Sequence, residues 1–148
     1  MGTQYSKTPL YKKLGYKPGQ KIYLKNPPEE YYEWVSPVID QVNLVNRLTN
    51  DFDLIHFFTT SRKELEDLLP KYQSRIQENG MIWVSWPKKS SKVVSDVTEN
   101  TIRKVCLPLG LVDVKVCSIS NVWSGLKLVI RKELRDKTIY KLRYIQST

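Results

Sequence analysis

The sequence predicts a three-layer α/β sandwich: a mostly parallel sheet with helices on both faces and an antiparallel pair at its end. Three observations carry this. Gly80-Met81-Ile82-Trp83-Val84-Ser85-Trp86 is apolar with little alternation and stops at Pro87, as a central strand covered on both sides does. Leu54-Ile55-His56-Phe57-Phe58 repeats that pattern, and a segment of helical period joins the two, as a parallel crossover requires. Finally, Val112, Val114 and Val116 alternate with polar residues, and a turn over 121–125 leads into Leu126-Lys127-Leu128-Val129-Ile130, an antiparallel pair.

The elements follow in order. Ser6 or Thr8 is placed to cap a short helix, Pro9–Leu14, with Gly15 just past its end. Lys17-Pro18-Gly19 turns the chain into a strand, Lys21–Lys25. Pro28 and the acids Glu29 and Glu30 suit the start of a helix running through Val35, which Pro37 ends. Val42–Val45 reads as a short strand whose direction the pattern leaves open. After Phe58, Ser61-x-x-Glu64 has the form of a capping box. Leu65, Leu68, Leu69, Tyr72 and Ile76 then form one apolar stripe, interrupted by Pro70 and closed by Asn79-Gly80. Asp96-x-x-Glu99 resembles another cap, ahead of the stripe Ile102, Val105, Cys106 and Leu109 that Gly110 stops. Thr138–Ile145 fits either a further strand or a tail.

A chain of 148 residues, 41% hydrophobic and 26% charged, is one globular domain. We place it at 1–133 and read 134–148 as a basic extension. No apolar run approaches the roughly 20 residues of a membrane span, and no hydrophobic leader is seen, so a cytoplasmic location is expected. Met1–Ser6 fits the loose acylation pattern, which is short enough to arise by chance. Cys106 and Cys117 form no CxxC pair and His56 is the only histidine, so reduced thiols are expected and no metal site. The net charge of +9 favours anionic partners.

The order of elements resembles the second half of a class I, S-adenosylmethionine-dependent methyltransferase, a Rossmann-like fold. In that resemblance Phe52-Asp53-Leu54-Ile55 matches the fourth strand, Gly80–Val84 the fifth and Trp123–Ile130 the reversed last strand. The phrases Ser6-Lys7-Thr8-Pro9-Leu10, Thr60-Ser61-Arg62, Val84-Ser85-Trp86-Pro87-Lys88-Lys89-Ser90 and Trp123-Ser124-Gly125-Leu126-Lys127 look like a bacterial domain-of-unknown-function family, which implies the same fold and no established activity. The chain departs from the methyltransferase pattern at the cofactor. Where those enzymes carry a Gly-rich turn, this chain has Asn26-Pro27-Pro28-Glu29, without glycine and with two residues that remove backbone donors. The second strand ends in Asn46-Arg47 rather than an acid, and too few residues follow for a crossover helix. One strand–helix unit is expected to be missing, and no cofactor is assigned.

In such a fold ligands sit beyond the carboxyl ends of the strands. That rim would gather Asn26 and Glu29; Thr60, Ser61 and Arg62; Ser85, Trp86, Lys88, Lys89 and Lys92; and Trp123 and Ser124. Cations, hydroxyls and flat aromatics suit an anionic, partly planar ligand such as a nucleotide or phosphorylated metabolite. The competing reading makes the lysines a solvated loop and the tryptophans packing. His56 lies mid-strand and reads as a core or helix-facing residue. Ser85 and Ser124 lack a nucleophile-elbow setting, and no catalytic set is assigned. The expectation is therefore a domain that binds an anionic small molecule. The alternatives are a divergent methyltransferase or other transferase, and a nucleic-acid or acidic-protein binding module. Oligomeric state is left open.

Overall fold

The first helix, α1 (Leu10–Leu14), ends because Gly15 takes φ +87° and turns the backbone out of the helix. The computed structural model describes residues 8–135. Strand β1 (Lys21–Lys25) follows, then α2 (Tyr31–Trp34), β2 (Asn43–Leu44), β3 (Phe52–Phe58), α3 (Arg62–Gln73), β4 (Ile76–Pro87), α4 (Glu99–Cys106), β5 (Leu111–Ser118) and β6 (Trp123–Ile130). The strands form one sheet in the order β2-β1-β3-β4-β6-β5. β2, β1, β3 and β4 run parallel, and β6 is antiparallel to both β4 and β5. This is the mostly parallel sheet with a terminal hairpin that the sequence predicts. It also answers the question of Val42–Val45, whose two-residue core pairs parallel with β1.

Two cores flank the sheet. On one face Ile55, Phe57, Ile82, Val84 and Trp86 pack with Leu65 and Leu69 of α3 and Ile102 and Cys106 of α4. On the other, Ile22, Leu54, Phe58 and Trp83 pack with Leu14 of α1 and Tyr31 of α2. Trp83 is fully buried, and its Nε1 donates to the Leu14 carbonyl at 2.9 Å, tying α1 to the central strand.

Several boundaries differ from the sequence reading. Pro9 occupies the cap position of α1 with no side-chain cap, and Ser6 lies outside the described residues. α2 stops at Trp34, and Pro37 sits within a 3-10 turn, Ser36–Gln41, rather than ending a longer helix. α3 ends at Gln73, so Ile76 belongs to β4 instead of the helical stripe. Pro70 does not split α3. It sits in the last turn, where its missing N–H removes a single bond. Regular pairing of β4 with β3 begins only at Met81, after an irregularity that spans Gly80. A Cβ at Gly80 would lie 2.9 Å from the Phe52 carbonyl oxygen, which explains the glycine. α4 is capped by Thr98 and Thr101 in a reciprocal box, not by Asp96 and Glu99. The alternation of β5 is broken by a bulge between Asp113 and Lys115, and Val114 and Val116 are each 52% exposed on the edge strand. The Met1–Ser6 and Thr138–Ile145 readings lie outside the described residues.

Candidate functional site

The carboxyl ends of β1, β3 and β4 meet at one rim, and its first half is closed by its own side chains. Asn26 leaves β1 with φ +56°, a left-handed turn that asparagine tolerates better than most residues. Its Nδ2 donates to the Phe58 carbonyl at 3.0 Å and to Glu64 Oε2 at 3.3 Å. Thr59, buried at the end of β3, donates from Oγ1 to Glu64 Oε1 at 2.6 Å and accepts from the Ser61 amide at 3.1 Å. Ser61 Oγ caps α3 by accepting from the Glu64 amide at 3.1 Å. The expected box is thus half formed, since the Glu64 carboxylate serves Thr59 and Asn26. The first amide of α3, Arg62, donates to Asp96 Oδ1 at 2.7 Å, and the Arg62 guanidinium pairs with Glu66 at 3.0 Å. Both the helix start and the turn after β1 are therefore occupied by the chain's own carboxylates. Glu29 and Thr60 are exposed beside this cluster.

The second half of the rim is different. Lys88 is anchored by its amide, which donates to the Val122 carbonyl at 2.7 Å, and by its Nζ, 2.6 Å from Ser118 Oγ. Lys89 and Lys92 are exposed, and Lys92 takes φ +63° to end a 3-10 turn. Trp123 stands edge-on to Phe58, centroids 5.0 Å apart. Ser124, opposite Trp86 and Ser118 in the sheet, is partly buried. No ion pair involves Lys88, Lys89 or Lys92 among the described residues.

Two of the predicted rim residues are in the interior. Trp86 is 9% exposed and packs in the α3/α4 core. Ser85 is fully buried and belongs to a polar chain that sequence spacing alone could not assemble. Ser85 Oγ lies 2.8 Å from His56 Nε2, His56 Nδ1 lies 2.9 Å from Tyr31 Oη, and Tyr31 Oη lies 2.9 Å from Tyr16 Oη. Three of the four are completely buried and Tyr16 is 6% exposed. Desolvation pulls the His56 imidazole down to about 3, so it is neutral near pH 7. A neutral ring donates through one nitrogen and accepts through the other, so the chain is satisfied in either direction. Burial likewise holds both tyrosines protonated, Tyr31 well above the ordinary phenol range. A serine–histidine pair invites a nucleophile reading, but Ser85 has no exposed surface to offer a substrate. His56 is the core histidine that the sequence suggests.

Among the described residues no group of three or more His, Cys, Asp or Glu is arranged to hold a metal. Both cysteines are free. No helix of the described residues is long and apolar enough to cross a membrane.

Comparison with known proteins agrees with the fold. A family model described as "Protein of unknown function (DUF3052)" matches residues 34–132. No curated protein matches the chain. Among solved structures, a TehB-like SAM-dependent methyltransferase from Corynebacterium glutamicum is similar at 12% identity and TM-score 0.52, over 82% of this chain and 85% of that one. Ribosomal protein L11 methylase from Lactobacillus delbrueckii is similar at 14% identity and TM-score 0.52, over 82% and 75%. Magnesium protoporphyrin IX methyltransferase from Synechocystis is similar at 12% identity and TM-score 0.53, over 77% and 75%. At such identities the likeness is one of fold.

Proposed function

We propose that this chain, which belongs to the family described as proteins of unknown function (DUF3052), uses a methyltransferase-like fold to bind an anionic ligand rather than to transfer a methyl group. The observation that carries this reading is the division of the rim. Cradling an adenosyl cofactor calls for close backbone approach and free donors after β1. Here Pro27 and Pro28 have no N–H, and the Asn26 side chain is drawn to Phe58 and Glu64. These residues do not fit S-adenosylmethionine. The Lys88 side of the rim supports the positive half of the reading, with three lysines that have no carboxylate partner among the described residues and Trp123 paired with Pro87 beside them. A phosphate-bearing, partly planar molecule matches cations beside an aromatic face.

Ligand-dependent melting tests both halves. At 100 times its dissociation constant a ligand adds about 2.7 kcal/mol of stability, a shift of several degrees for a domain of this size. A nucleotide or sugar phosphate is expected to raise the midpoint, and Lys88→Ala to abolish the rise. A shift with S-adenosylmethionine instead would show a working cofactor site and overturn this reading.

A further inference from the structure

The two faces of the sheet are not covered alike. α3 and α4 pack along the face that carries Leu126, Leu128 and Ile130. On the opposite face, Leu10, Tyr11 and Leu14 reach over Trp83 and Met81, and that core ends at Cys117, Ile119 and Trp123. Alternation along β6 puts Lys127 and Val129 on this face, since Lys127 pairs with buried Trp83. Their partners on β5 are Lys115 and Val112. Val112 and Val129 are only partly buried, and neither belongs to a core.

Lys115 and Lys127 stand directly opposite each other, an arrangement that weakens a sheet. Lys13 of α1 and Lys115 both lie within electrostatic reach of the Cys117 thiol, which burial raises and the two lysines lower. None of the three has an ion-pair partner among the described residues. A lysine on an edge strand commonly wards off strand pairing, which accounts for Lys115 but not for Lys127 on the interior strand. The residues outside the described ones are themselves net basic. Residues 1–7 contain one lysine and no acid, and residues 136–148 contain Lys137, Lys141 and Arg143 against Asp136.

We propose that this face of the β5–β6 ladder docks an acidic amphipathic helix of a partner protein, its carboxylates meeting Lys13, Lys115 and Lys127 and its apolar side meeting Val112 and Val129. The layering of α/β folds makes a helix the natural cover for an open sheet face. The bulge at Val114 disfavours an added strand on the β5 edge. The apolar pair beside the lysines favours a peptide over a nucleic-acid backbone.

The test uses the full chain and a labelled synthetic helix with glutamates flanking a leucine stripe. Its controls are the same helix with lysines for glutamates, a short single-stranded oligonucleotide, and vesicles containing phosphatidylserine. The acidic helix is expected to bind, shifting the amide resonances of Val112, Lys115, Lys127 and Val129. Lys127→Glu should weaken it at least tenfold while raising the melting midpoint by about 1–4 °C, because it replaces a repulsive cross-strand pair with an attractive one. Lys88→Ala should leave the interaction unchanged, which separates this surface from the rim. Absence of binding, binding indifferent to Lys127→Glu, a midpoint that falls, or Lys127-dependent binding of the oligonucleotide or vesicles in place of the helix would overturn the proposal.

Discussion

The face under α3 and α4 and the face under α1 and α2 bury aromatic and aliphatic groups of similar size, but only the second contains a polar chain. On the first, Phe57, Leu65, Leu69, Ile82, Val84 and Ile102 meet as hydrocarbon surfaces. On the second, Trp83 is tied to Leu14, and Ser85, His56, Tyr31 and Tyr16 are tied to one another. Apolar packing tolerates exchange at constant volume, whereas each buried polar group needs its own partner. The α1/α2 face therefore specifies the position of α2, and through it the turn after β1, more tightly than volume alone would. That turn is the donor-poor Asn26-Pro27-Pro28.

The contrast can be broken by mutation, and the largest effect should come from the central strand. Trp83→Ala is expected to cost about 3–5 kcal/mol, as is Phe57→Ala on the other face. Trp83→Ala should be the worse of the two, because it also leaves the Leu14 carbonyl without its donor. Urea denaturation measures both, and equal costs would argue that the indole hydrogen bond adds little.

A histidine-linked acid response should belong to the polar face alone. The folded value for His56 is lowered to about 3 from 6.5, so the unfolded chain binds a proton at a pH where the native chain does not. Stability from this group is complete above pH 6.5 and is lost as pH falls toward 3, at about 1.4 kcal/mol per pH unit. Since His56 is the only histidine, its ring resonances report directly. They should not titrate between pH 7 and pH 4.5, and a midpoint near 6.5 would show that the ring is reached by water.

Ser85→Ala comes next, at about 1–3 kcal/mol, because it removes one small group yet strands the His56 nitrogen. Its cost should be non-additive with Tyr31→Phe, by more than about 0.5 kcal/mol, since both act on one ring. Strict additivity in the double mutant would mean that the chain does not act as a unit. The smallest effect should be Glu66→Ala on the outside of α3, where the pair with Arg62 is about half exposed and worth less than about 0.5 kcal/mol.

Much of the fold was legible in the residues because it rests on local pattern. The apolar runs at Leu54–Phe58 and Met81–Val84, the left-handed Gly15 and Gly110, and the cap at Ser61 each act over a few positions. The rim was legible in outline only. Lys88, Trp123 and Asn26 lie at strand ends as the topology requires, but Thr59 carries no signal of its own, and Glu64 and Asp96 read only as helix-cap residues. Glu64 was visible as a capping acid, and no spacing rule says that it turns toward Asn26, 38 residues away. Ser85 and Trp86 read as rim residues because they directly precede Pro87, where the strand ends, but burial continues to that end.

From the sequence alone follow the strand–helix order, the antiparallel finish, the donor-poor turn at Asn26-Pro27-Pro28 and the excess of positive charge, since each depends on neighbours along the chain. Tertiary structure decided which groups pair across it: His56 with Ser85, Arg62 with Asp96, Lys115 opposite Lys127. Those pairings join residues that are 29, 34 and 12 positions apart. Their energies depend on burial and on register, and one-residue slips in a sheet reverse which side chains face inward. No local pattern carries that information, and so the closed half of the rim and the facing lysine pair emerge only when the sheet is assembled.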